Sequence, residues 1–163
     1  MKAKNKILVI GIGNTIRGDD AIGILIAREL ARQNLPGIDC IDFEHAGIDA
    51  VDRMEGYETV YIIDATHTPD RDEIGEVINI SPDELTKIPG LRLSHGLYFP
   101  RLIAEWRSQY PDETPQHLSF ILVKVMAVDK FREGLSPELS AQYHDILNLC
   151  STIVSTHLPD SDT

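Results

Sequence analysis

The stretch Ile7-Leu8-Val9-Ile10-Gly11-Ile12-Gly13-Asn14-Thr15-Ile16-Arg17-Gly18-Asp19-Asp20-Ala21-Ile22-Gly23 decides how this chain folds. Residues 6–10 are a compact run that ends at Gly11-Ile12-Gly13-Asn14, the pattern of a buried strand entering a tight turn. From Ile22 the period changes. Ile22, Leu25, Ile26 and Leu30 recur at helical spacing, with Asp19 and Asp20 at the N-terminal end, where carboxylates oppose the helix dipole. This predicts a strand-turn-helix unit. Two nucleotide readings of the same glycines are weak: a dinucleotide fingerprint needs glycine where Ile16 stands, and a P-loop needs a Gly-Lys-Ser/Thr ending. Adjacent carboxylates at the mouth of a phosphate cradle would also repel the anion.

Outward from this unit, residues 38–43 and the β-branched, apolar run 59–63 read as strands, the latter fit for burial on both faces. A further strand is expected at 76–80. Ser81-Pro82-Asp83-Glu84 then supplies an N-cap, a proline at the first helical position and an acidic residue behind it. Leu102, Ile103, Trp106 and Tyr110 mark another helix, and residues 119–127 a long strand. A last helix opens at Ser136-Pro137-Glu138 and keeps a stripe of Leu139, Tyr143, Ile146, Leu147, Cys150, Ile153 and Val154. Strands alternating with helices predict a three-layer α/β fold, a mostly parallel twisted sheet with helices on both faces. One domain is expected over residues 1–158, followed by a flexible C-terminal tail at 159–163 with nothing to bury.

The chain is long enough for a single well-formed core. Acidic residues outnumber basic ones 26 to 15, and the net charge of −11 argues against a nucleic-acid partner, whose phosphates it would repel. Cys40 and Cys150 are in neither a CxxC nor a zinc-ribbon spacing and read as buried free thiols. Residues 1–6 and the apolar run behind them mimic a secretory signal, but the run soon meets Asn14, Arg17, Asp19 and Asp20 and is read as a strand. With no apolar stretch near the roughly 20 residues that cross a bilayer, a cytoplasmic protein without membrane insertion is expected.

In an open parallel sheet, ligands bind beyond the carboxyl ends of the strands, so polar residues there count most. Asp20 follows the first strand, Asp64 follows Tyr61-Ile62-Ile63, and His95 lies in Ser94-His95-Gly96. Two carboxylates and an imidazole form an oxygen-oxygen-nitrogen set suited to a borderline divalent ion such as zinc or nickel. Three protein ligands leave an open coordination position, as a catalytic or substrate-engaging site needs. His67, His45, Glu44 and Asp19 are competing ligands. No Gly-x-Ser-x-Gly elbow and no His-Glu-x-x-His motif is present.

The string from Gly11 to Gly23 resembles the opening motif of the hydrogenase maturation proteases, a Gly-x-Gly-Asn turn followed by paired acidic residues and a glycine. The resemblance continues in family order through Glu44-His45-Ala46-Gly47, Ile62-Ile63-Asp64-Ala65, Gly75-Glu76-Val77-Ile78, Ser94-His95 and Gly134-Leu135-Ser136-Pro137, across almost the whole chain. It implies an endopeptidase that trims the C-terminus of a nickel-iron hydrogenase large-subunit precursor after nickel insertion, and it implies Asp20, Asp64 and His95 as metal ligands. Nickel would arrive with the substrate, while zinc or cadmium could occupy the site in vitro. Many relatives carry Glu at the position of Asp20, which is one methylene shorter. A helix beginning near Ser94 would also carry Pro100 in its interior, at the cost of a backbone hydrogen bond. The working mechanism is metal-assisted hydrolysis with Asp19 as candidate general base. A non-enzymatic metal-sensing or chaperone module for hydrogenase assembly is the alternative, and a nucleotide-binding domain a third, which only phosphate contacts at residues 11–18 would support.

Overall fold

The computed structural model describes residues 7–158; Lys6 and the expected tail at 159–163 lie outside them. Strand β1 (Ile7–Ile12), a 3-10 turn (Gly18–Ala21) and helix α1 (Ile22–Gln33) form the strand-turn-helix unit. Then come β2 (Ile38–Phe43), α2 (Ile48–Met54), β3 (Thr59–His67), β4 (Val77–Ile80), α3 (Pro82–Leu85), α4 (Tyr98–Gln109), β5 (His117–Val125) and α5 (Pro137–Ser155). The strands form one sheet in the order β2-β1-β3-β5-β4, in which only β4 runs antiparallel to its neighbour.

The two-residue period of a strand sorts the core into two layers. Ile7, Val9, Tyr61, Ile63, Ile121 and Val123 pack with Ile22 and Ile26 of α1 and Leu139, Ile146 and Cys150 of α5. Leu8, Ile10, Ile62, Phe120 and Leu122 pack on the other side with Ala50 and Met54 of α2 and Phe99 and Ile103 of α4. Both sheet faces are therefore covered, which is why β1 and β3 read as continuous apolar runs. The glycines of the opening motif serve this packing. A methyl group on Gly23 would collide with the carbonyl oxygens of Ile12 and Ile63, and one on Gly11 with that of Gly23, so α1 lies flush on β1 and β3.

Several elements differ from expectation. Strand β3 continues to His67 instead of ending at Ile63, because its last residues stay paired with residues 122–125 of β5 and Thr66 is bridged on the other side by Leu93 of a later loop. Helix α2 is not among the expected elements; at seven residues, with only Ala50, Val51 and Met54 buried, it is too short for a clear periodic signal. Helix α4 starts at Tyr98, so Pro100 sits in its first turn, where no intrahelical partner is lost. Strand β5 begins and ends two residues earlier than expected, since β3 pairs with it from Thr59 opposite His117. Cys150 is buried, but Cys40 is only half-buried because β2 is an edge strand. The cap at Ser81 is a full capping box with Glu84.

Candidate active site

Strand order reverses between β1 and β3: β2 lies beyond one, β5 and β4 beyond the other. Such a switch point opens a crevice past the carboxyl ends of the strands. The pairing of β3 with β1 ends at Ile63, one residue before Asp64, while on its other side Asp64 still pairs with Leu122 of β5. Asp64, 3% exposed, thus stands at the floor of the crevice.

His95 is brought there by a loop tied to the end of β3. The backbone N–H of His67 donates to the carbonyl of Arg92 at 2.9 Å, and that of Ser94 to the carbonyl of Ala65 at 3.1 Å. The Thr66 hydroxyl adds a bond to the Arg92 carbonyl at 3.0 Å. Gly96, at φ +71, then turns the chain away, a conformation that suits a residue without Cβ. His95 Nδ1 lies 3.0 Å from Asp64 Oδ1, which also accepts from the N–H of Ala65 at 2.8 Å.

A second carboxylate-imidazole pair lies on the opposite side of β3. His67 lies three positions beyond Asp64, so strand parity sends the two side chains to opposite faces. His67 Nε2 is 3.3 Å from Asp20 Oδ1 and 3.1 Å from the Ser94 hydroxyl. Asp20, 2% exposed, also has the Arg17 guanidinium at 3.7 Å. Sequence reasoning retains His67 only as a competing ligand and gives Ser94 and Arg17 no part. The available signals are the odd spacing of His67 from Asp64 and the position of Arg17 three residues before Asp20.

The surroundings set the charges. Burial works to raise the Asp20 carboxyl, but the hydrogen bond and charge of His67, with Ser94 and His95, together hold it below its ordinary value. Asp64 goes the other way: burial dominates over His95 and the Ala65 N–H, the charge of Asp20 adds to it, and the carboxyl is pushed up. For His95, burial works to lower the imidazole, yet the hydrogen bond and charge of Asp64, with Asp20 behind them, raise it. Asp20 is the fixed anion, and Asp64 and His95 hold a proton between them.

Asp19 is committed elsewhere. Its oxygens accept from the Ser136 N–H at 2.6 Å and the Ser136 hydroxyl at 2.8 Å, tying the 3-10 turn to the N-cap of α5. Glu44 and His45 line a cavity of about 420 Å³ that opens onto Asp64 and His95 and has Phe99 and Phe120 in its walls. Among the described residues, no three His, Cys, Asp or Glu side chains stand in metal-holding geometry. The donors are drawn to one another in twos. Ser94, His67 and Asp20 do not form a serine triad either, because Ser94 and Asp20 address the same ring nitrogen. The thiols are ruled out as nucleophiles: burial, chiefly, pushes Cys40 up to about 11 and Cys150 up to about 12.

The sequence model of the hydrogenase maturation proteases matches residues 24–153. The chain belongs to the hydrogenase maturation protease family. This maturation protease is 24% identical over 181 residues to the hydrogenase expression/formation protein HupD of Thiocapsa roseopersicina, covering 98% of its own length and 79% of that relative. Its fold superposes on the hydrogenase maturating endopeptidase HybD of E. coli with a TM-score of 0.72 at 22% identity, over 97% of this chain and 99% of the other. A solution structure of an endopeptidase from Escherichia coli gives 0.73 at 25% identity, again over 97% and 99%. The maturation protease is accordingly a hydrolase. No helix among its described residues is long and apolar enough to cross a membrane.

Proposed function

We propose that this protease removes the C-terminal extension of a nickel-iron hydrogenase large-subunit precursor once nickel has been inserted, and that Asp20, Asp64 and His95 engage the nickel carried by that substrate. The observation that carries the reading is the meeting of the Asp64–His95 pair and the Asp20 carboxylate at the β1/β3 switch point, in mutual electrostatic reach. Carboxylate oxygens and an imidazole nitrogen fit a borderline divalent ion but lack a thiolate, so the set suits a shared grip on a metal held mainly by another protein.

Asp20 offers an oxygen donor that stays anionic, whereas the His95 imidazole, whose hold on its proton is raised, must give up one of its two ring protons before that nitrogen can bind metal. Metal engagement and proton release are thereby coupled. The cavity beside Asp64, with Phe99 and Phe120 in its walls, takes the substrate chain. In the reaction the peptide C–N bond breaks, water giving hydroxyl to the carbonyl carbon and a proton to the departing amine; substrate-bound nickel would polarise the carbonyl or acidify that water. Asp19, with both oxygens on Ser136, is assigned a bracing role instead of a share in proton transfer. The test is to strip the protease with chelator, remove the chelator, and mix it with precursor containing or lacking nickel, followed by mass spectrometry of the precursor C-terminus. Trimming of the nickel-loaded form alone is expected; prompt trimming of the nickel-free form would overturn the role given to nickel.

A further inference from the structure

Helices α2 and α4 do not close on each other completely. Between them lies a groove of about 410 Å³, floored by Val51, Leu102 and Trp106. At its edges Ile48 is 61% and Tyr110 52% exposed, both large apolar side chains that burial would favour. Its polar rim is of one sign. Asp52 and Glu55 come from the α2 side, Glu105 and Glu113 from the α4 side, and no Lys, Arg or His among the described residues lines it. Carboxylates of one sign around an apolar floor give the groove a negative potential that attracts a cationic group.

The groove neighbours the site along both helices. Gly47, the last residue before α2, and Tyr98, Phe99 and Pro100, the first turn of α4, line the cavity beside Asp64 and His95, while Ile48 and Leu102 open the groove. One chain lying along the α2/α4 face would occupy both.

We propose that this groove is a docking surface for a basic, apolar-containing segment of the precursor, distinct from the segment that is cut. The proposal rests on the reading of the preceding subsection. The apolar side chains of the docked segment cover Ile48, Trp106 and Tyr110, and its Lys or Arg side chains meet the rim. The groove thus contributes to affinity and on-rate and touches no reacting atom.

Two measurements test this on the full chain with nickel-loaded precursor. The first compares binding by the native protease and by the Asp52→Lys/Glu105→Lys variant, both positions being exposed, after a thermal melt has verified that the variant is folded. A loss of affinity of at least tenfold at low salt is expected, together with a weaker dependence on salt. Equal affinity and equal salt dependence would overturn the docking surface while trimming by the native protease left the protease reading intact; failure of the native protease to bind or trim the precursor would overturn both. The second places a photocrosslinking amino acid at Gln109 and maps the captured precursor peptide. A segment rich in Lys or Arg is expected, and an acidic or neutral segment would overturn the charge argument.

Discussion

Two carboxylate-imidazole pairs flank the end of β3, and they are held in opposite ways. Asp20 is met by His67, Ser94 and Arg17, a cluster rich in donors, and its carboxyl is held low despite burial. Asp64 has His95 and one backbone N–H, and burial wins. The same two residue types thus give a low-held anion in one pair and a raised, proton-sharing pair in the other. Proteins that tune neighbouring titratable groups apart in this manner assign them different tasks. Here the Asp64–His95 pair opens to the cavity, whereas the Asp20–His67 pair is braced from behind.

Substitutions at the two pairs should therefore have unequal effects. Asp64→Asn keeps the shape and removes the charge, and a loss of processing of about 10²–10⁴-fold is expected. Since burial already disfavours its charge, the thermal midpoint should not fall at pH above the raised His95 value, where the interaction with protonated His95 is already lost. Full activity in the Asp64→Asn variant would remove Asp64 from the site. His67→Ala acts at one remove, by releasing Asp20 and the Ser94 hydroxyl, and should weaken binding of a probe cation such as cadmium by about 10–100-fold. His67→Gln, whose amide can still donate, should recover part of that. If His67→Ala were as damaging as Asp64→Asn and Gln restored nothing, His67 would be a direct ligand and the contrast between the pairs would fail.

The fold is largely legible in the sequence because β1 and β3 are buried on both faces and α5 carries a long unbroken stripe, so tertiary context only reinforces the local pattern. What is not legible comes from pairing across long separations. The extension of β3 through His67 rests on its pairing with β5 as far as Val125 and on residues 92–94 returning to its other side, and no pattern within 59–67 announces this. Asp20, Asp64 and His95 stand out through strand ends and through family resemblance. The grip of Asp19 on Ser136 spans 117 positions and leaves no local trace, which is why a carboxylate beside Asp20 reads as a general base.

The contrast between the pairs also fixes the direction of the pH effects. His95 is raised, so its proton must be displaced for metal to bind: affinity for cadmium should climb with pH from the ordinary imidazole value upward and level off above the raised one. Replacement of His95 by Ala should flatten that rise. For stability the signs are opposite in the two pairs. The interactions raising His95 stabilise the fold fully below its unfolded value of 6.5 and are lost as pH increases through the folded value. Those lowering Asp20 are present above 3.8 and are lost as pH falls through its depressed value. Thermal melts across pH should show Asp20→Asn blunting chiefly the acid limb, with a smaller change through its charge on His95; blunting of the alkaline side with an unchanged acid limb would reverse the assignment of the fixed anion.

The smallest effect on chemistry is expected next door, at Asp19, and it separates bracing from catalysis. Asp19 is 6% exposed, and its carboxylate receives the N–H and hydroxyl of Ser136, the residue that caps α5 through the N–H of Leu139 at 3.3 Å. Asp19→Ala would leave the Ser136 N–H without its carboxylate and detach the 3-10 turn from the helix, a loss on the order of 1–3 kcal/mol for a hydrogen bond to a charged group. Such a loss lowers the thermal midpoint of a chain this size by several degrees. Trimming of nickel-loaded precursor, measured well below that midpoint, should stay within a few-fold of native, because the hydrogen bonds that hold the Asp64–His95 pair run through the Ala65 N–H and not through Asp19. A general base would behave differently, its removal slowing trimming by about 10²–10⁴-fold whatever the temperature. An Asp19→Ala variant that is stable but inactive would therefore return Asp19 to the reaction, and with it a third carboxylate to a site that the two pairs now divide between them.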